Sequence, residues 1–581
     1  MVATSDETYT QTDHGLLVAL GEFLQQHGLL KQMMTIPIHQ KTRIHIPQAK
    51  VIEFMVGIFS GIEYLADLND APHPLAKDKP VARAWGLTKF AHYSGVSRTL
   101  DLCDDATVRA ARHAIEAFSQ PFIRTAVAEC LHADLPLIYD VDLMGQAVSP
   151  TSTTYPNAGF GWMDNQIQLG YQLARVCLTA RNGERIWLAG FHHPGDTVSV
   201  KCLEELVRAA ESQTQVRPRR RTELVHERIA TTEKLMERPR RLLTQQEKRR
   251  TQLQQTELRV HVQIAQAEQS LKKPVITARL ERLQKHLKTW HARLPRLTQQ
   301  QLTCERAIVH HQTYLDELTH QVSDLKTWLE QLEVDNRANP SPPTCEVRMD
   351  SGFSGGMPIA WLIEMGYQVN TKAPGDKTTQ VLRKQVTAAT TWTRVGANAE
   401  MTAACVYQLH NCPYALDAAL ERFQLGDTYE YATLLQYRDT QKPATLPDWF
   451  HAYNHRQIIE AGNKELKSGI FHVQHLMSRS SAGIQLQVLF AGLAANAIRW
   501  VIPWIRMCAT QSSPKWEQTL DHPKHLVRVA SNTTATVQHT SQGTALQFAS
   551  TGALPGVILF LKGVPAFQLP LGLYTPVQNP N

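Results

Sequence analysis

From Val216 to about Ala338 glycine all but disappears and Gln, Glu, Lys, Arg and Leu dominate, a composition that suits long helices and little else. Prolines at 218, 239, 274 and 295 are expected to divide the stretch into helical segments, because proline removes a backbone hydrogen bond and crowds the preceding turn. In the last segment Leu315, Leu318, Val322, Leu325, Leu329 and Leu332 alternate spacings of three and four, which is an a/d seam. A coiled coil or an antiparallel helical hairpin follows. Between Arg217 and Arg250 twelve Lys and Arg stand against five Asp and Glu, a local net of +7 that equals the excess of the whole chain. Two readings stay open: a solvated helix face, or an arm lying along nucleic-acid phosphates through Arg219, Arg220, Arg221, Arg240 and Arg241.

What surrounds this insert is too long for one ordinary core at 581 residues in all, and 43% apolar composition is enough to fill several domains. Nine scattered cysteines without a Cys-x-x-Cys indicate neither a zinc ribbon nor a disulfide framework, and a reducing cytoplasm fits them best. The N-terminus has no basic region leading into an apolar one, so no secretory signal is expected. Leu486 to Ile505 is apolar enough to suggest a membrane span, but Gln487, Asn496, Arg499 and Pro503 favour a buried helix. No P-loop and no His-Glu-x-x-His occurs, which argues against ATP-driven remodelling and zinc proteolysis.

In chain order, residues 15–35 and 48–66 show helical apolar spacing, and Trp85 to Phe118 reads as helices broken around Ser94-Gly95-Val96. The segment LTKFAHYSGVSRTL, with Gly95 at the turn, is a candidate helix-turn-helix. Residues 135–145, LPLIYDVDLMG, read as an inner strand carrying Asp140 and Asp142 on one face. Strands at 167–180 and 183–191 follow, joined by a hairpin at Asn182-Gly183. His192 and His193 fall in an expected loop, with no third ligand at a metal-binding spacing. After a helix from Val198 to Ala210 and the insert, the strand CEVRMD ends in Asp350. A helix at 357–365, a strand at 367–373 and short β-rich runs within 376–443 come next. Helices at 447–467 and 481–502 and a tail of strands and loops at 525–575 complete the chain.

Tyr453, Arg456, Glu460 and Lys467 fall at offsets of three, seven and fourteen, so on one continuous α-helix they share a narrow stripe. A tyrosine, a carboxylate and two cations on one stripe suit a place where the carboxylate holds a metal and the cations hold phosphate. Asp142 (or Asp140), Asp350 and Glu460 are the acidic positions that the order of strands and helices can bring to one sheet edge, although the first and second lie 208 residues apart and the second and third 110. Three carboxylates without a His or Cys cage favour Mg²⁺ or Mn²⁺, and two such ions can serve an in-line attack on a phosphodiester.

Here the sequence resembles the DDE transposases of bacterial insertion sequences that carry a Tyr-Arg-Glu-Lys signature on the last catalytic helix. Tyr453-x2-Arg456-x3-Glu460-x6-Lys467 matches it at every spacing, and such a match arises by chance in a chain of this length with odds on the order of a few in a thousand. RMDSGFSGG also looks like the second-aspartate motif of these enzymes. The resemblance covers about 130–210 and 345–505, and implies an α/β fold with a ribonuclease-H-like catalytic core, a mixed sheet flanked by helices. Together with the helical patterns read above, this divides the chain into an N-terminal helical domain expected to bind DNA (1–130), the first half of the core (131–212), the basic helical or coiled-coil insertion (213–340), and the core continued (341–374). A small β-rich insertion (375–445), the core with the catalytic helix (446–510) and a C-terminal tail (511–581) follow.

Carried over residue by residue, the resemblance makes Asp142, Asp350 and Glu460 the catalytic, metal-binding triad for Mg²⁺ or Mn²⁺, two ions in all, with Tyr453, Arg456 and Lys467 on DNA phosphates. Asp140 stays open as the first aspartate, because relatives carry Thr or Ser within two residues of theirs and Asp142 is followed by Leu143-Met144-Gly145. Asp142 is favoured, being nearer the strand's carboxyl end. In the β-rich insertion Trp392 is a candidate base-stacking residue beside the commoner role of a core tryptophan. The implied activity is cut-and-paste transposition: hydrolysis at the element's end, then attack by the freed 3′-hydroxyl. Its partners would be double-stranded DNA, as terminal inverted repeats and target, and a second copy in a synaptic dimer, in a bacterial cytoplasm at the nucleoid and away from membranes. A structure-selective nuclease of the same fold and a non-catalytic DNA-binding scaffold are the alternatives.

Overall fold

The computed structural model of the protein describes residues 9–41, 44–274, 276–439, 445–510, 514–540 and 543–549, with 554, 556–561 and 563 beyond them. The chain forms two units, one of residues 1–219 with 341–581, the other of residues 220–340.

The first unit is built on a mixed eleven-stranded sheet. Its centre consists of β1 (Leu137–Ala147), β2 (Gln166–Thr179), β3 (Arg185–Pro194), β4 (Cys345–Met349) and β5 (Gln368–Lys372). They lie side by side as β3-β2-β1-β4-β5. β2 is antiparallel to both β1 and β3, while β4 runs parallel to β1 and β5 parallel to β4. The short strand Gly159–Met163 pairs with the start of β2. Beyond β5 the insertion strands continue the same sheet, as Thr428–Tyr437 pairs antiparallel with β5 and then with Ala415–Leu425.

Strand alternation decides what each face of β1 meets. Tyr139 points to helix α1 (Ser199–Thr214), where its hydroxyl meets Thr214 Oγ1 at 3.1 Å. Asp140 and Asp142 point the other way, to the side where α5 (Leu446–Asn454) and α6 (Gln457–Lys464) lie. On that side α7 (Ser481–Cys508) packs on β3, with Asn496 bonding both the N–H and the C=O of Trp187. α7 is the one described helix long and apolar enough to cross a membrane by length and composition, and 67% of its apolar window is buried inside the protein. It runs through Pro503 to Cys508, six residues past the expected end.

Several expectations are corrected. The N-terminal helices Gly15–Gln26 and Pro47–Ser60 share one hydrophobic core with α7, and the strand Tyr9–Thr12 pairs with Ala535–Thr540 in a second, four-stranded sheet, so this part is neither all-helical nor set apart. Gly95 lies inside the helix Tyr93–Leu100, which His92 caps by accepting from the Ser94 N–H, so the proposed turn is helix and its Thr99 is buried. His192 and His193 end strand β3. Burial and the neighbouring His193 push His192 down to about 4, and His193 Nε2 pairs with Glu205 at 3.1 Å. The expected single helix at 447–467 is two helices and a π-turn over Glu465–Gly469, with the break at His455-Arg456. The tail carries the helices Pro514–Leu520 and Pro523–Ala530 before its strands, and its residues from 564 on lie outside the described ones.

The second unit is a hairpin of α2 (Thr222–Leu271) and α3 (Thr277–Arg337). Gln301 meets Glu257, Cys304 meets Gln246 and Lys326 meets Glu233, an antiparallel register. All six seam residues from Leu315 to Leu332 are buried. Pro239 and Pro295 do not divide the helices as expected; they sit inside helices of 50 and 61 residues, where packing across the hairpin outweighs the one hydrogen bond each proline removes.

Candidate active site

The site lies where β1, the end of β4 and α6 meet. Asp142, on β1, faces α6 and is buried. Asp350 follows the last residue of β4, and its Oδ1 accepts from the Gly352 N–H at 3.0 Å, which turns the chain away from the sheet. A side chain at Gly352 would meet Ser199 Oγ at 2.9 Å and Asp350 Oδ1 at 3.1 Å, so one of those side chains would have to shift to admit it. Glu460 stands in the first turn of α6 and is half exposed.

Arg456, the first cation of the signature, holds the three carboxylates together. Its Nη2 donates to Asp142 Oδ1 at 2.7 Å and lies 3.8 Å from Asp350 Oδ2, while its Nη1 donates to Glu460 Oε1 at 2.8 Å. Burial opposes the guanidinium's charge, yet Asp142, Asp350, Tyr453 and Glu460 together raise its pKa. Asp142 is pushed up to about 6, by burial first; Arg456 pulls the other way, and Asp350 and Glu460 add like-charge repulsion.

The second oxygen of Asp142 accepts from Asn463 Nδ2 at 2.6 Å. Asn463 is not among the residues expected at the site; its position one turn after Glu460, on the same helix face, is the one signal of it in the sequence. α6 itself is gripped from β3. Arg185 Nη1 donates to the Ile458 carbonyl at 2.7 Å, and its other nitrogen pairs with Glu465, which Arg499 also holds at 2.9 Å. Gly462 lets the Arg185 guanidinium pass, since a Cβ there would lie 2.4 Å from it.

Asp140 occupies a different setting on the same strand face. Arg348, its cross-strand neighbour, donates Nε and Nη2 to its two oxygens at 2.7 Å each, and Thr179 Oγ1 adds a third bond at 2.9 Å. Arg348 Nη1 reaches the Ala452 carbonyl of α5 at 2.8 Å. Asp140 is thus consumed in a closed ion pair, and the group around Arg456 contains Asp142.

The remaining signature residues are dispersed. Tyr453 is buried against Ala399, Met401, Leu434 and Trp449, and burial raises its pKa. Lys467 sits in the π-turn and binds both oxygens of Asp164, at 2.8 and 2.7 Å, so it leaves the stripe that an unbroken helix would have given. Of the five basic-arm arginines, Arg219, Arg240 and Arg241 are exposed, whereas Arg220 and Arg221 are buried; Arg220 pairs with Asp335 at 2.7 Å and holds the hairpin's base together. Trp392 is partly exposed, with the Arg422 guanidinium 3.9 Å from its ring centre.

Among the described residues no three or more His, Cys, Asp or Glu side chains stand at a spacing that would hold a metal ion. The three acids are an all-oxygen donor set gathered around a guanidinium, the type of donors a hard divalent cation takes. No family model matches the chain, and no curated protein matches it.

Proposed function

We propose that the protein is a DNA transposase of the DDE type with a ribonuclease-H-like core, cutting phosphodiester bonds at the ends of an insertion sequence and joining the freed 3′-hydroxyl to target DNA. One observation carries the reading: Asp142, Asp350 and Glu460, widely separated in sequence, converge on the single guanidinium of Arg456 at the carboxyl end of β4. The sheet order β3-β2-β1-β4-β5 with only β2 reversed supports it, because that is the strand order of the ribonuclease-H-like fold.

Asp142, Asp350 and Glu460 would hold Mg²⁺ or Mn²⁺, which when bound supplies an activated water and charge stabilisation at the phosphorus. Arg456 offsets part of the negative charge of the three acids and keeps them within reach of one another. Asn463 fixes the orientation of the Asp142 carboxylate. Arg185 and Arg499, through Glu465, hold α6 at the depth that presents Glu460. Lys467, on a half-exposed Asp164, is the cation most readily exchanged onto a DNA phosphate. One site per DNA end calls for two copies, hence a synaptic dimer acting in the cytoplasm at the nucleoid. The test is incubation of the full-length protein with DNA carrying the sequences that flank its gene, with Mg²⁺ or with EDTA. Cleavage at the ends and strand-joined products with Mg²⁺ only is the expected result; no cleavage in either condition contradicts the reading.

A further inference from the structure

The net charge of the protein is confined to one place. Residues 220–340 hold 22 Lys and Arg against 15 Asp and Glu, a net of +7, which leaves the rest of the chain balanced at 38 against 38. Within the hairpin the charge is polarised. The antiparallel register sets residue 238 level with about residue 318. Beyond that level, residues 238–318 carry sixteen basic and seven acidic side chains, net +9, while the base carries six against eight.

The two halves also use their cations differently. At the base Arg220 pairs with Asp335 and Lys326 with Glu233. Among the described residues none of the sixteen distal cations is in an ion pair, and fifteen of them are exposed, with Arg250 half-buried. A merely solvated helix face intersperses acids at three and four residues' distance to pair its cations; here eleven of the sixteen have no acid at either distance, and the others, such as Lys272 after Glu268 and Lys285 after Glu281, close no bridge. The seam between α2 and α3 is filled by their own apolar residues, so the cationic surface is not what joins the helices. Residues 238–271 alone make about 50 Å of helix, the length of roughly fifteen base pairs.

We propose that the distal half of the hairpin, residues 238–318, is an arm that binds the phosphate backbone of duplex DNA without reading its sequence. The choice of DNA rests on the transposase reading above; the polyanion-binding character rests on the charge distribution alone. Eight of the sixteen cations fall in the runs Arg238–Arg241, Lys248–Arg250 and Lys272-Lys273 along and just past α2, and arginine predominates among the sixteen, which suits forked contacts to phosphate oxygens.

The test uses the full-length protein and a 30-base-pair duplex of arbitrary sequence, of about the size the arm would cover twice over, titrated across a salt series. The variant R240Q/R241Q/K248Q/R249Q/R282Q/K285Q is compared with wild type and with the base variant K234Q/R337Q. With about 0.9 of salt slope lost per phosphate contact, the six-fold variant is expected to flatten the slope of log affinity against log salt by about 3 to 5, and the base variant by less than about 1. An unchanged slope in the six-fold variant overturns the arm. So does tighter binding of duplex RNA than of duplex DNA by wild type that the variant abolishes. End cleavage that persists beside an unchanged slope removes the arm and leaves the transposase reading standing, whereas wild-type protein that binds no duplex DNA removes both.

Discussion

Two aspartates two residues apart on one face of β1 each meet an arginine at 2.7 Å, and the two pairs behave as different chemistries. Asp140 and Arg348 satisfy each other with two parallel bonds, and Thr179 and the Ala452 carbonyl take what is left. Asp142 gets one bond from an arginine that it shares with Asp350 and Glu460, and its partner acids are 39% and 50% exposed. The first pair is closed and fixes the register of β1, β4 and α5. The second carries more negative charge than Arg456 can neutralise and opens to solvent, which suits it to take another cation. The difference teaches that residue type and strand face do not separate a closed ion pair from an open acidic cluster; the number of acids per cation does.

The largest effect belongs to the closed pair. Arg348→Met leaves Asp140 buried and unpaired and should destabilise the protein by about 3–5 kcal/mol, read as a lower denaturant midpoint. A loss below about 1 kcal/mol would show that Asp140 is hydrated and the pair is not closed.

Next comes the pH dependence of the open pair. The Asp142 carboxyl, pushed up to about 6, binds its proton more tightly in the folded than in the unfolded chain. Its contribution therefore falls as pH rises from about 4 to 6, by up to roughly 3 kcal/mol, and the cost is fully present above that window. Asp142→Asn should remove this slope, so that unfolding midpoints at pH 4.5 and pH 7 draw together. If the variant keeps the wild-type difference, the titration lies elsewhere.

The smallest effect sharpens the contrast at the surface. Asp164→Asn breaks a half-exposed bridge and should change stability by less than about 1 kcal/mol while releasing Lys467 and tightening DNA binding at low salt. Weaker binding in this variant would mean that Lys467 needs Asp164 to be positioned.

Much of this was legible in the residues themselves. Alternation along LPLIYDVDLMG set Asp140 and Asp142 on one face, the Asn182-Gly183 turn set the β2–β3 hairpin, and the leucine seam set the helical hairpin. The spacing from Arg456 to Glu460 gave a real contact because those residues do stand one helical turn apart. The same spacing misled for Lys467, since a π-turn adds a residue to the ladder and no local residue type announces it. Within the β-rich stretch 376–443 the strand Ala415–Leu425 is the least legible, because ALDAALERFQL is made largely of helix formers and pairing on both edges overrides that preference. Asp142 and Asp140 could not be told apart because Arg348 becomes a neighbour of Asp140 only once β1 and β4 pair across 208 positions.

Cleavage of end-containing DNA by Asp350→Ala and Glu460→Ala, beside wild type and with Mg²⁺ present, tests the central claim most directly. Both side chains are partly exposed, so the variants should fold as wild type does. The account predicts that cutting disappears in both while DNA is still bound; cutting at the wild-type rate in either variant would contradict it.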